Sequence, residues 1–261
     1  MDSNGKVAKP QGLGRIPLAG AMSVIGGLLL WEVVSRYLVA NALFLAGPSQ
    51  IIRAIVVLAG TGELWRHMAI SAAEFALGYA IASVLGVICG MAMAGSATTK
   101  RVMQPWISGL YATPTIALAP LFILWLGIGI WSKVLVVITL VLFPVTINTE
   151  AGLRTTSERL IEMLRSFGAT SRQIFLKVSL PSALPFILAG LKLGIGRGLI
   201  GVVVAELFGS RAGLGRLISA SADAFNMPDL FAGVVVLAAA GIAMTAGFGW
   251  IERRLVPWTK D

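Results

Sequence analysis

The chain has 261 residues, of which 57% are hydrophobic and 13% charged, with a net charge of +9. Soluble proteins average about 25% charged residues, and here the apolar residues gather into runs of about 20, the length that crosses a hydrocarbon core. That argues against a soluble domain. It also argues against a nucleic-acid partner, because the basic residues sit between apolar runs and aromatic stacking motifs are absent.

Residues 1–15 are polar, basic and glycine-containing and read as a short N-terminal tail. Ile16 to Val39 is the first span, too long and too poor in small residues at its end to be a cleaved signal peptide. Glu32 and Arg36 lie near its far end, spaced to neutralise one another on a helix. From Asn41 to Trp65 the pattern is mixed. Pro48-Ser49-Gln50 starts a helix with Ile51, Ile52, Ile55, Val56 and Ala59 on one face. It is too short to span and is expected to lie on the membrane surface until Gly60-Thr61-Gly62 breaks it.

The second span runs from His67 to Gly95, with Glu74 in its first turns and the lone cysteine, Cys89, near its end. One cysteine rules out an intrachain disulfide and reads as a small buried hydrophobe. The third span, Met103 to Leu126, contains Pro105, Pro114 and Pro120, and the fourth runs from Ser132 to Ile147. A long polar stretch covers 149–182. The fifth span is Ala183 to Phe208, a polar, glycine-containing stretch follows to Asp229, and the sixth span is Leu230 to Trp250. No internal repeat is visible. The expected fold is all-α, a polytopic bundle of about six spans. It divides into a tail at 1–15, a first span and surface helix at 16–66, a core at 67–251 holding the 149–182 loop, and a basic tail at 252–261.

Lys and Arg in the flanks orient the bundle. With the N-terminus inside, Lys6, Lys9, Arg15, Lys100, Arg101, Arg154, Arg159, Arg165, Arg172, Lys177, Arg253, Arg254 and Lys260 are inside. Only Arg36, Arg53, Arg66, Lys133, Arg211 and Arg216 are outside. The positive-inside rule thus places both termini and the 149–182 loop in the cytoplasm.

That loop carries the most information. Thr155-Thr156-Ser157-Glu158 reads as a capping box. Leu160, Met163, Leu164 and Phe167 then fall on one helical face, and Gly168 suits a left-handed helix end. Thr170-Ser171-Arg172-Gln173 offers a second box, and Leu180-Pro181 is expected to stop the short helix that follows. Periodicity alone leaves two readings open, a helix that docks on a soluble partner and an amphipathic helix on the membrane surface.

The intervals Glu162, Gly168 and Val178-Ser179-Leu180-Pro181 match those of the EAA loop of importer permeases, with Met163 and Leu164 in place of two alanines and Val178 in place of isoleucine. The chain further resembles the nitrate, sulfonate and taurine branch at Leu45-Ala46-Gly47-Pro48-Ser49, Gly62 to His67, Thr113 to Leu121, Trp125 to Gly129, Ala205-Glu206 and Gly213-Leu214-Gly215. The resemblance implies a bacterial inner-membrane permease of an ATP-driven importer. Glu162 would be an anchoring contact, Gly168 the turn, and Ala169, Thr170, Ser171, Arg172, Gln173 and Ile174 the docking element in a cleft of the ATPase. Leu180 and Pro181 would be the stop. It also implies two copies of this chain, two ATP-binding subunits and an extracytoplasmic substrate-binding protein.

Charge inside a span is costly and defaults to a functional reading. Lys192 is expected to snorkel toward the cytoplasmic interface. Arg197, in Gly194-Ile195-Gly196-Arg197-Gly198, has two open readings: an ion pair within the bundle, or a cation lining the path of an anion. Glu206 is read as a structural salt bridge, and Glu32 and Glu74 as solvated or paired near the outer interface. Thr113, Thr115, Thr146 and Asn148 flank Pro114 and Pro144, where they can line the path or satisfy a carbonyl that proline frees. His67, the only histidine, reads as an interfacial polar cap, and no metal site is expected.

No Walker A pattern, His-Glu-x-x-His or Gly-x-Ser-x-Gly occurs, so neither ATP hydrolysis nor other enzymatic chemistry is expected of this chain, and no cofactor. The solute expected from the basic span and the branch resemblance is small and anionic. The alternative is a transporter driven by an ion gradient, which would want buried carboxylates and inverted repeats.

Overall fold

Runs of Leu, Ile, Val, Ala and Gly without a strand period fold as helices, because a span in lipid must satisfy its backbone within itself. The computed structural model describes residues 18–39 and 44–259. The 1–15 tail, the first residues of the first span from Ile16, the link through Asn41, and Lys260 lie outside the described residues. Among the described residues there are helices and no strands. They are α1 (Leu18–Val33, continued by a π-helical turn, Val34–Val39), α2 (Pro48–Gly60), α3 (Glu63–Gly95), α4 (Ala97–Ala112), α5 (Ala119–Leu126), α6 (Ile130–Arg154), α7 (Glu158–Ser166), α8 (Ser171–Ile174), α9 (Leu180–Gly209), α10 (Leu214–Asp223) and α11 (Met227–Leu255). Five of these segments are long and apolar enough to cross a membrane alone, and the bent pair α4–α5 makes a sixth.

The centre of the bundle is α3, α6 and α9. Small residues let their backbones approach. A Cβ on Gly78, Gly86 or Gly90 of α3 would come within 2.6–2.8 Å of Val137, Val145 or Thr149 of α6. On α9, Gly190, Gly198 and Gly201 meet Asn148, Phe75 and Leu140 just as closely. Valines 137, 141 and 145 fill the space between. A second core joins α2, α10 and the first turns of α11 through Ile51, Ala54, Leu58, Leu214, Leu217 and Ala232. By contrast α1 is nearly bare, with 6% of its span buried. It is tied at one end, where Glu32 pairs with Arg36 as expected and accepts from the Ser49 N–H (3.0 Å) and hydroxyl (2.7 Å).

The course of the helices differs from the sequence reading at four places. The buried face of α2 is Ile51, Ala54 and Leu58, while Ile52 and Val56 are exposed. The stripe is thus rotated, not merely narrowed: Ile52 and Val56 leave it, Ala54 and Leu58 enter it, and Ile55 and Ala59 are half-buried at its edge. The third span is not one helix. Thr113 takes the extended conformation that a residue before proline prefers (φ −72°, ψ 136°), and α4 and α5 meet at 82° across a 3-10 turn, Thr115–Leu118. The fourth span, α6, continues to Arg154, so Thr149 and Gly152 are buried core residues rather than loop.

Leu180-Pro181, finally, does not stop a helix. A π-helical turn, Phe175–Ser179, joins α8 to α9, and the Leu180 N–H reaches the Phe175 carbonyl five residues back. The widened turn accommodates the proline ring at the start of α9, where its missing N–H is tolerated. Residues 171–209 therefore form one continuous helical segment.

Candidate functional site: amphipathic loop, polar stripe and far-end cap

At one end of the bundle, here called the loop end, α7 and α8 stand between α6 and α9. Ser157 is the N-cap of α7, and its side chain makes no capping bond. Thr155 instead donates to the Gly152 carbonyl at 2.7 Å and closes α6, so the first expected capping box does not form. Thr155 is taken up as the C-cap of α6, two residues before the N-cap of α7. The other end of α7 follows the sequence. The Ala169 N–H bonds the Leu164 carbonyl (3.0 Å) and the Gly168 N–H that of Arg165 (2.9 Å), the paired bonds of a Schellman turn. Gly168 supplies its left-handed residue, φ +79°. The second capping box forms: Thr170 Oγ1 accepts from the Gln173 N–H (3.3 Å) and Gln173 Oε1 from the Thr170 N–H (2.8 Å).

Ile174 is buried, whereas Ala169 is half-buried and Thr170, Ser171, Arg172 and Gln173 are exposed. No residue of α7 is buried, although its apolar and polar faces are sharply divided. Glu162 points to solvent, and Phe167 is 81% exposed.

A polar stripe begins beside this loop. Lys100 of α4 pairs with Glu150 of α6 at 2.8 Å, and Arg154 bonds the same carboxylate. A groove of about 430 Å³ follows α4 past Lys100, Arg101, Gln104, Ser108 and Arg154. Residues 101, 104, 108 and 111 fall on one helical face. Gln104 donates to Ser108 (3.3 Å). Arg197 of α9 ends the stripe, donating to the Tyr111 hydroxyl at 2.9 Å with its guanidinium 5.0 Å from the ring centroid. Its partner is thus an aromatic phenol, and among the described residues no ion pair involves Arg197. Thr113 is exposed at the break and donates to the Gly109 carbonyl (2.9 Å); Thr115 is buried. Asn148 donates to the Pro144 carbonyl (2.8 Å) and buried Thr146 to that of Leu142 (2.8 Å). Lys192 reaches Glu252 near the end of α11 at 3.0 Å. Gln104, Ser108 and Tyr111 escaped the sequence reading because each is a single polar residue in an apolar run. Their spacing of three and four was the available signal.

The opposite, far end holds a buried polar cluster. Glu206, near the end of α9, has 0% exposure and makes no salt bridge among the described residues. It accepts from the Ser71 hydroxyl and the Gly215 N–H, both at 2.6 Å. Ser71 accepts in turn from the Leu214 N–H (2.8 Å), and His67 Nδ1 from the Gly213 N–H (2.9 Å). Three successive N–H groups at the start of α10, normally left without partners, are thus capped by side chains of α3 and α9. A carboxylate is favoured there by the helix dipole as well. Gly213 has φ +127°, and a Cβ on it would run into the Glu206 carboxylate; one on Gly215 would lie 2.6 Å from the Val203 carbonyl. The cluster therefore requires both glycines.

His67 is a polar cap as expected, but a buried one, and Glu206 is a helix cap rather than half of an ion pair. Glu74 is buried at 4% exposure, not solvated, because α9 and α6 close over it. Lys133, 2% exposed, lies among the charged neighbours of both carboxylates and donates to the Gly129 carbonyl at 2.9 Å. No group of residues suited to a metal occurs among the described residues.

Five or six segments able to cross a membrane, with an amphipathic loop at one end, define a polytopic membrane protein. The chain belongs to the family of binding-protein-dependent transport system inner membrane components, whose profile matches residues 82–261. It is 32% identical over 244 residues to the taurine transport system permease of Escherichia coli, covering 92% of this chain and 88% of that one. It is 34% identical to the formylaminopyrimidine transport permease of Halalkalibacterium halodurans, covering 89% of this chain and 92% of that one. A putative aliphatic sulfonates permease of Bacillus subtilis is 35% identical, with 90% and 85% covered. The fold matches an inward-facing MetNI methionine ABC transporter structure with a TM-score of 0.58 and 20% identity, over 75% of this chain and 95% of the other. The chain is therefore a multi-pass permease subunit of an ATP-driven importer, and hydrolysis resides on a separate subunit. Membership implies an ATP-binding subunit and a substrate-binding protein as partners.

Proposed function

We propose that α7 and α8 dock on the ATP-binding subunit from the cytoplasm, and that the α4–α9 stripe lines the path of a small anionic solute. The observation that carries the docking role is α7 itself. A strongly two-faced helix with no buried residue, ending in an 81% exposed phenylalanine, leaves an apolar face that this chain does not cover. In this reading Ala169 to Ile174 fill the partner's cleft, Gly168 sets the turn and Glu162 anchors the contact. Leu180 and Pro181 begin the helix that carries the push. The loop is cytoplasmic, with both termini on that side, by the excess of Lys and Arg in its segments.

The path follows from the broken third span. Irregular backbone at membrane depth is tolerated only where protein or water covers it, so Thr113 and its neighbours face a cavity or a second copy rather than lipid. Two copies related by symmetry enclose that cavity, with two ATPases beneath and a binding protein outside. Arg101 and Arg197 beside the neutral donors Gln104, Ser108 and Thr113 suit an anion such as a sulfonate, in keeping with the taurine and sulfonate permeases named above.

The test is Gly168→Val. No atom lies within 4 Å of a Cβ there, so the effect is one of backbone alone. A β-branched residue in the left-handed region costs about 1–2 kcal/mol, which reshapes the turn. The expected result is loss of uptake and weaker co-purification of the ATPase, with Gly168→Asn close to wild type. Full uptake and full ATPase binding by Gly168→Val would count against the docking role.

A further inference from the structure

Residues 171–209 form one helical segment. At about 1.5 Å per residue it spans roughly 58 Å, from the docking loop to the far end. There Glu206, in its last turn, holds the first residues of α10. We propose that Glu206 is the joint through which α9 carries α10, so that α10 follows the position of the docking loop across the membrane. The inference rests on the docking role proposed above and adds the residue that passes its motion on.

Two kinds of contact compete for α10. On one side Leu214 and Leu217 pack in the apolar core shared with α2 and α11. Such contacts are non-directional, and by themselves they set no single position for α10. On the other side Gly213, Leu214 and Gly215 donate to His67, Ser71 and Glu206, and Ser71 donates to Glu206. These four bonds have strict distance and angle requirements, and full burial of Glu206 leaves no water to replace them. Gly213 and Leu214 are bonded to α3 and Gly215 to α9, and Ser71 ties α3 to α9, so when that pair shifts the directional contacts hold α10 to it, with Glu206 the α9 member of the joint. The close fit of Gly213 and Gly215 against Glu206 removes slack from the joint. Glu206 is accordingly a positioning residue: it acts through α10 and need not touch the solute.

The experiment uses the complex of this chain with its ATPase in liposomes, with and without liganded binding protein, for wild type, Glu206→Gln, Ser71→Ala and Ser71→Thr. Uptake, ATP hydrolysis and amide exchange at residues 213–215 are recorded. In Glu206→Gln the amides are expected to exchange at least tenfold faster. Stimulation of hydrolysis by the binding protein and uptake both fall at least tenfold, while the ATPase still co-purifies. Ser71→Ala shows a smaller loss in the same direction and Ser71→Thr restores it.

Faster exchange with stimulation and uptake intact overturns the inference, since the cap is then structural only. If Glu206→Gln does not accumulate, Ser71→Ala decides, and undiminished stimulation in it overturns the inference. A wild-type chain that recruits no ATPase overturns the docking role and this inference with it. A stimulated wild type with unaffected variants overturns the inference alone.

Discussion

Arg197 shows how a single side chain separates two uses of a cation within a span. Its contacts are the hydroxyl and face of Tyr111, neither of which neutralises it. A guanidinium stacked on an aromatic ring stays charged and keeps donors free, which suits an anion that must bind and leave. A hydrogen bond to a charged group contributes about 1.5–3 kcal/mol, and about 1.4 kcal/mol is tenfold in affinity. Replacing Arg197 with Gln is therefore expected to raise the half-saturating solute concentration for uptake about tenfold or more, with Arg197→Lys between the two. An unchanged concentration dependence in Arg197→Gln would remove it from the path. Glu206 teaches the reverse lesson. Charge within a span marks Glu206 in the sequence, but among the described residues it makes no salt bridge. Its hydrogen-bond donors are the Gly215 N–H and the Ser71 hydroxyl, which no charge pattern displays.

At the scale of the helix, glycine has opposite meanings on α1 and α3. A Cβ on Gly86 would sit 2.8 Å from Val145 Cβ and 3.0 Å from the Leu142 carbonyl, whereas one on Gly26 meets nothing within 4 Å. Alanine is favoured over glycine in a helix by about 1 kcal/mol, and overpacking costs about 1–3 kcal/mol. Gly26→Ala should leave thermal unfolding in detergent unchanged or slightly raised, while Gly86→Ala lowers the midpoint; equal effects would contradict the α3–α6 packing. Much at this scale was legible beforehand. Apolar runs placed the spans, Thr170 and Gln173 placed a cap, and Gly168 placed a turn, because each depends on near neighbours in sequence. Three features were not legible. The sharp break at Thr113-Pro114 and the smooth passage through Leu180-Pro181 look alike in sequence, since both are a residue followed by proline. They differ in what precedes them, a π-helical turn in one case and none in the other. The joining of His67, Ser71 and Glu206 to Gly213-Leu214-Gly215 spans up to 146 residues, beyond the reach of any local pattern.

For the molecule as a whole, sidedness is the property on which the transport direction turns. Phe167 at the loop end is 81% exposed and Phe225, between α10 and α11, is 63% exposed. In a Cys89→Ser background, Phe167→Cys and Phe225→Cys place one thiol at each end. A membrane-impermeant maleimide added to intact cells stripped of their outer membrane is expected to label position 225 and to reach 167 only after permeabilisation. The opposite pattern would invert the bundle and place the loop beyond the reach of any cytoplasmic ATPase.

The continuous helix through 171–209 has one more result for the cell. A rod gripped at both tips cannot let one tip advance while the other lags, except by bending the helix between them. A pore open to both surfaces at once would short-circuit the proton gradient and drain the very energy store that supports growth. Making a single stiff piece answer to both compartments sets an energetic penalty on that leak, with no separate lock required.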